Sequence, residues 1–256
     1  MIRNRFRQKL QPDRCTIGVG TTFVAPEFVE FCGFLGFDWI FVDGEHGGAG
    51  PDTCQMLVRA AHAADMGVLV RVPSADPAVI LGYLETGAFS ILVPHINTPD
   101  EARAAVSAGR YPPLGIRGAG SSTRAANYGL TQSSAEYFAR ANTEVLIIPQ
   151  IEDVKAVENL DDILGLPEVE AVMIGPGDLA ASMGYPGQGG HPEVVATVDK
   201  VISRARAAGR MIGTTAGTPA AVRNLRSKGV GFALCSAASM LAEAARRFLH
   251  DARAES

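Results

Sequence analysis

Two carboxylates and an imidazole, Asp43, Glu45 and His46, fall within four residues of one another after the apolar run Trp39-Ile40-Phe41-Val42. Such a trio can move protons, because a histidine titrates near neutrality and a neighbouring carboxylate can fix its tautomer and orientation. His46 is therefore read as a general base with Asp43 orienting its ring, and Glu45 as support for the same mouth. A lone histidine is often structural; the tight grouping favours chemistry.

Other reactive residues stand at the ends of other apolar runs. Glu152 follows Ile147-Ile148-Pro149-Gln150-Ile151, and Asp178 closes Gly175-Pro176-Gly177-Asp178 after Ala171-Val172-Met173-Ile174. Two carboxylates from adjacent strand ends would offer the hard oxygen ligands that Mg2+ or Mn2+ prefers, leaving positions for water and substrate. Each could equally cap the helix after it. Arg71 follows Val68-Leu69-Val70, an apolar setting in which a guanidinium needs an anion. That anion is either a structural partner or a substrate carboxylate or enolate, which an arginine meets bidentately. His95, in Pro94-His95-Ile96, belongs either in the mouth or packed at its rim. His62 and His250 read as surface residues, and His191 as the start of a helix.

Something must bring these scattered residues together. Candidate strands run Thr16 to Thr22, Phe37 to Asp43, Val68 to Val72, Phe89 to Pro94, Glu144 to Ile151, Val169 to Ile174, Met211 to Thr215 and Val230 to Leu234. Segments of helical period alternate with them: Pro51 to Met66, Pro77 to Glu85, Pro99 to Ala108, Val154 to Leu164, Pro192 to Ala208, Pro219 to Ser227 and Ala237 to Leu249. Asp76-Pro77, Thr98-Pro99 and Thr218-Pro219 read as helix starts, and Gly67, Gly87, Gly209 and Gly229 as helix ends. Eight such units in 256 residues point to a single-domain α/β fold, a (β/α)8 TIM barrel over residues 1–256, ahead of a doubly wound open sheet. In a barrel the C-terminal strand ends share one mouth, and Asp43, Arg71, His95, Gln150, Glu152 and Asp178 all fall at such ends. A long irregular stretch, Arg110 to Leu130, carries Arg117 and Arg124 and is expected to border a site that receives an anion.

Composition narrows the partners. A net charge of -4, from 23 basic and 27 acidic residues, gives no footing for nucleic acid, and the Arg3, Arg5, Arg7, Lys9 alternation reads as a solvated N-terminal face. No apolar run approaches the ~18 residues of a membrane span, and the first residues lack the apolar core of a signal peptide, so a cytoplasmic, soluble protein is expected. Cys15, Cys32, Cys54 and Cys235 lack metal-site spacing and read as reduced thiols.

Taken in order, DWIFVDGEH, LVRVP, GAFSILVP, RYPPLGIRGAGSSTRAANYG, IPQIE, MIGPGDLAASMG and GHPEV resemble the HpcH/HpaI family of class II pyruvate aldolases over nearly the whole chain. The resemblance implies a lyase of the aldehyde-lyase type that cleaves or forms 4-hydroxy-2-oxo acids, giving pyruvate and an aldehyde. It implies a divalent cation, Mg2+ or Mn2+ with Co2+ as a further candidate, held by Glu152 and Asp178 and chelating the 2-oxo acid. Gln150 would stand nearby, Arg71 at the keto or enolate oxygen, and the backbone of Gly175, Pro176 and Gly177 at the substrate carboxylate. His46 with Asp43 would handle protons. It further implies a homohexamer, a trimer of dimers, with the C-terminal helix packing on a neighbour. No lysine Schiff base is called for, and Lys9, Lys155, Lys200 and Lys228 all lie away from the predicted strand ends. Ser90 stands where the family commonly has glycine, Gly47-Gly48-Ala49-Gly50 replaces a Gly-Pro continuation, Asp153 replaces a frequent threonine, and the last strand lacks the usual aspartate. The alternative within the same chemistry is oxaloacetate, decarboxylated or condensed with an acyl-CoA to a citrate-like acid; Arg117 and Arg124 would suit so charged a substrate.

Overall fold

A computed structural model describes residues 3–11 and 14–254. After α1 (Arg5–Lys9) come β1 (Thr16–Gly20), α2 (Pro26–Phe34), β2 (Trp39–Asp43), α3 (Pro51–Ala63), β3 (Gly67–Arg71), α4 (Pro77–Glu85), β4 (Ser90–Val93) and α5 (Pro99–Gly109). A 3-10 turn (Arg124–Gly129) precedes α6 (Ser134–Glu144), β5 (Leu146–Ile151), α7 (Val154–Glu158), α8 (Leu160–Leu164), β6 (Ala171–Ile174) and α9 (Pro176–Ser182). The chain ends with α10 (Pro192–Ala207), β7 (Met211–Thr215), α11 (Pro219–Ser227), β8 (Phe232–Ser236) and α12 (Ala237–Arg253). All strand pairs are parallel and β8 closes on β1, so the sheet is a (β/α)8 barrel and the open-sheet alternative is excluded.

The strands read as unbroken apolar runs because both of their faces are covered. Ile40, Val42, Val68, Val70, Ile91, Val93 and Ile147 point outward to the helices, while Trp39, Phe41, Leu69, Leu92, Leu146, Ile148, Met173 and Phe232 fill the barrel. The large interior rings have room because small residues face them. A Cβ at Gly18 would lie 2.1 Å from the Trp39 ring, and one at Gly213 1.9 Å from Phe232.

Capping chemistry starts the helices where the sequence indicates. Asp76 accepts from the Ala78 amide at 2.7 Å, Thr218 accepts from Ala221 at 3.1 Å, and Thr98 with Glu101 forms a reciprocal capping box. Gly87, Gly209 and Gly229 take left-handed φ after their helices. Gly67 does not: it opens β3, Asp65 takes the left-handed position before it, and a Cβ at Gly67 would meet the Phe6 backbone at 2.7 Å.

That close approach reflects a correction to the expected solvated N-terminal face. Phe6 is fully buried and plugs the end of the barrel where the strands begin, edge-on to Trp39 (5.1 Å) and Phe232 (5.4 Å). Asn4 ties α1 down by donating to the carbonyls of Phe89 (3.1 Å) and Glu144 (2.8 Å), and it accepts from the Ser90 hydroxyl at 3.0 Å. Serine in place of glycine at position 90 thus acts at the closed end. Arg5 pairs with Asp65 and Arg7 with Glu170.

Several further boundaries differ. The first strand stops at Gly20 rather than Thr22. The last is shifted toward its C-terminus, Phe232–Ser236 rather than Val230 to Leu234, because the Gly229 turn precedes it and its register with β1 runs to Gly20 opposite Ser236. The helix expected over Val154 to Leu164 divides at Asn159, whose side chain leaves to donate to the Asn97 carbonyl at 2.8 Å. Among the described residues no helix is long and apolar enough to cross a membrane.

Candidate active site

The turn after β2 is tight because glycines allow it. The Gly44 amide donates to the Arg71 carbonyl at 2.8 Å, and a Cβ there would fall 2.5 Å from the Tyr83 hydroxyl. A Cβ at Gly47 would lie 2.4 Å from the Asp43 carbonyl oxygen. Asp43 anchors the turn, its Oδ1 accepting from the amides of Glu45 (3.1 Å) and His46 (3.2 Å).

The Asp43 carboxylate itself faces Arg71, its register partner on β3. Arg71 Nε donates to Oδ1 at 3.0 Å and Nη2 to Oδ2 at 2.6 Å, while Nη1 lies 3.1 Å from Glu45 Oε2. Burial alone would push the Asp43 carboxyl up; the Arg71 hydrogen bonds and charge, with the two turn amides, outweigh it and hold the group below the usual carboxylate range. Burial works against the guanidinium as well, yet Asp43, Glu45 and Glu152 together raise its pKa. Arg71 thus has the structural anion the sequence reading allowed for. Two of its five N–H groups are donated to Asp43, and Nη1 is ion-paired with Glu45.

His46 is placed differently from the expectation. Its ring is 65% exposed, stands 3.8 Å from Glu45 Oε2 and is not oriented by Asp43, which binds only its backbone amide. His95 lies in the mouth rather than packed at the rim. It adopts a left-handed backbone (φ 58°) and donates its amide to Glu152 Oε1 at 2.8 Å. Its ring nitrogens stand 3.1 Å from Glu45 Oε1 and 3.4 Å from Glu152 Oε1.

Glu152 does not cap a helix. Asp153 caps α7 instead, accepting from the Lys155 amide at 2.8 Å and from the Ser182 hydroxyl at 2.9 Å, and this is what the aspartate after Glu152 does. Glu152 is buried at the strand end, with Gln150 donating to its Oε2. A Cβ at Gly175 would stand 2.7 Å from Gln150 Nε2 and 2.9 Å from Glu152 Oε2, so glycine is needed beside this pair. Asp178 is exposed in the first turn of α9, whose N-cap is Gly175. The Gly175 amide is taken by the Ile151 carbonyl (3.1 Å) and Pro176 has none, which leaves the Gly177 and Asp178 amides as first-turn donors.

These residues fit a divalent cation. Burial raises the Glu152 pKa; the His95 amide and ring oppose that rise, and the negative charges of Asp178 and Glu45 reinforce it. A cation at this point would relieve the repulsion. Gln150 Oε1 is buried without a hydrogen-bond partner. Among the described residues no group of three or more His, Cys, Asp or Glu side chains is placed to hold a metal ion by itself, so a cation held by Glu152 and Asp178 would need water or a small-molecule ligand to complete its oxygen shell.

Two expectations fall away from the mouth. Arg117 is buried at the C-terminal end of α4, donating to Glu85 (2.8 Å) and the Tyr137 hydroxyl (3.3 Å) and lying 4.6 Å over Tyr111. Arg124 donates to the Thr86 carbonyl at 3.0 Å. The α4 end precedes β4, so these arginines sit where the strands begin, opposite the mouth, and do not border the site. His62 is not a free surface residue. It lies between Arg124, 3.3 Å from its Nδ1, and Arg5, and burial with those two charges brings its pKa down to about 4.

The sequence model of the HpcH/HpaI aldolase/citrate lyase family matches residues 22–244. The chain is 41% identical over 196 residues to a hydroxypyruvate/pyruvate aldolase of Sagittula stellata, covering 77% of this chain and 76% of that protein. It is 36% identical over 229 residues to a 5-keto-4-deoxy-D-glucarate aldolase of Salmonella arizonae, covering 90% and 88%. The structure of an HpcH/HpaI aldolase/citrate lyase family protein from Burkholderia cenocepacia superposes with a TM-score of 0.92 at 32% identity, covering 98% of this chain and all of that one.

Proposed function

Since the chain belongs to the HpcH/HpaI aldolase/citrate lyase family, we propose that it is a divalent-metal-dependent carbon-carbon lyase that cleaves or forms 4-hydroxy-2-oxo acids, with pyruvate and an aldehyde as the other side of the reaction. The observation that supports this reading is the chain of contacts from Arg71 through Glu45 and His95 to the buried Glu152, whose carboxyl also feels the charge of Asp178. Lysine plays no part in it.

Glu152 and Asp178 would hold the cation, Mg2+ or Mn2+. When bound it polarises the 2-oxo group and offsets the negative charge that develops there. Arg71 is held by Asp43 and Glu45 and would present its remaining N–H groups to the same oxygen, so it would need little reorganisation as charge grows. The free amides of Gly177 and Asp178 receive the substrate carboxylate. His46, exposed on the glycine-rich turn and 3.8 Å from Glu45, would accept the proton of the C4 hydroxyl. The C3–C4 bond then breaks, its electrons pass to C3 and the 2-oxo group as the pyruvate enolate, the C4 carbon leaves as an aldehyde, and protonation at C3 completes pyruvate.

Arg117 and Arg124 are spent at the far end of the barrel, so they give no support to the more highly charged oxaloacetate. The test is pyruvate release from a panel of 4-hydroxy-2-oxo acids, before and after metal chelation, beside oxaloacetate alone and oxaloacetate with acetyl-CoA. Turnover confined to oxaloacetate would refute the aldolase reading.

The protein is further read as a homo-oligomer in which α12 is exchanged. Met240, Leu241, Phe248 and Leu249 are exposed on that helix, and only Ala237 of it is buried. A cavity of about 930 Å³ runs from Asp43 along β1, β8 and α11 to α12, with Ile17 left 36% exposed beside it. The α12 of a second copy would cover the apolar lining of this groove, which includes Ile17, Phe37, Val222 and Leu234.

A further inference from the structure

Resting on that reading of the site, we infer that His95 is a positioning residue that couples the Arg71 half of the mouth to the Glu152 half. The contacts form a chain across four strand ends. Asp43 and Glu45, after β2, grip Arg71 on β3; His95, after β4, lies 3.1 Å from Glu45 Oε1 and 3.4 Å from Glu152 Oε1; and Gln150 on β5 holds the other Glu152 oxygen. Among the described residues, His95 is the side chain whose contacts reach both halves.

The backbone at His95 indicates that these contacts, not packing, keep it there. A left-handed φ of 58° is strained for a residue with a Cβ. The side chain is 68% exposed, so little apolar burial offsets that strain. What the conformation does achieve is to turn the His95 amide onto Glu152 Oε1 (2.8 Å) while the ring leans over Glu45. With Gln150 on Oε2, the Glu152 carboxylate is held at both oxygens, so its plane is fixed relative to Arg71. A ligand carboxylate oriented in this way binds its cation more tightly, and loss of such a partner typically lowers metal affinity about 10-fold to 100-fold.

The test separates the ring from the backbone. His95→Gly and His95→Asn both accept a left-handed φ and keep the amide bond to Glu152. Mn2+ alone serves as the probe, titrated calorimetrically into the metal-free full chain, with circular dichroism as a check on folding. Both variants are expected to fold and to bind Mn2+ about 10-fold to 100-fold more weakly than the wild type, and added imidazole is expected to restore part of the His95→Gly loss. Combining His95→Asn with Glu45→Gln should cost less than the two single losses together, because both break the same link. Variants that bind Mn2+ as the wild type does, or strictly additive losses, would overturn the inference while leaving the metal site intact. A wild type that fails to bind Mn2+ would overturn both this inference and the reading of the site on which it rests.

Discussion

Arg71 meets Asp43 edge-on across neighbouring strands, Nε to Oδ1 at 3.0 Å and Nη2 to Oδ2 at 2.6 Å, in a pair set by the β2–β3 register. A lysine has neither the fork nor the reach for that pair. Arg71→Lys is expected to lower kcat by about 100-fold to 1000-fold, the range for losing a preorganised donor to developing charge, and Asp43→Asn to lower it by freeing the guanidinium. The double variant should lose little more than the worse single one. Steady-state kinetics on one 4-hydroxy-2-oxo acid decides this, and a lysine variant near wild-type turnover would remove Arg71 from the chemistry.

The N-terminal plug makes a separate prediction about stability. Phe6 is fully buried between Trp39 and Phe232, so Phe6→Ala should destabilise the fold by roughly 3 to 5 kcal/mol through lost burial and the cavity left behind. Urea unfolding followed by tryptophan fluorescence reads it directly, since Trp39 is the one tryptophan. A change below about 1 kcal/mol would mean α1 is not seated in the barrel.

A pH effect follows from His62. Its folded pKa is about 4, against 6.5 for the free side chain, so between those values the unfolded chain takes up a proton that the folded one refuses. Stability is then complete above about pH 6.5 and falls as pH drops toward 4, by on the order of 3 kcal/mol for this residue alone. His62→Gln should shrink the decline in unfolding midpoint between pH 7 and pH 4. An unchanged slope in that variant would show the histidine to be solvated.

The exposed apolar residues of α12 predict assembly. Sedimentation velocity should find the wild type as an oligomer, and Leu241→Glu with Phe248→Glu should dissociate it, because charge would be placed on the exposed apolar face. A monomeric wild type, or a charged variant that assembles normally, would leave that face unexplained.

The barrel was legible because its strands are buried on both faces and its helices open on Asp76, Thr98 and Thr218. Glu152 and Asp178 could be assigned to neighbouring strand ends because β5 and β6 are consecutive in a (β/α)8 barrel. Side-chain direction was not legible: Asp43 stands close to His46 in sequence, but its carboxylate turns to a register partner on the next strand. His95 was ambiguous because its place depends on a left-handed φ, which is uncommon for a residue with a Cβ and has no signal in this stretch of sequence. Arg117 and Arg124 illustrate a different gap. The stretch carrying them follows a helix and precedes a strand, which assigns it to the end opposite the mouth once topology is weighed ahead of charge. The short plug helix α1 went unread because its one buried residue, Phe6, sits amid charges, and α2 because Phe31 and Phe34 stand exposed beside its two glutamates and blur the helical period.

The central claim is that this mouth forms a pyruvate enolate with the help of a divalent cation, and proton exchange at the pyruvate methyl tests it without assuming any aldehyde. In D2O, proton NMR should show the methyl signal of pyruvate decaying with enzyme and Mg2+ or Mn2+, with the decay abolished by chelation, restored by added metal, and absent in Glu152→Gln and Asp178→Asn. Exchange that continues unchanged after chelation and in both variants, or wild-type enzyme with metal that exchanges no faster than pyruvate alone, would contradict the account.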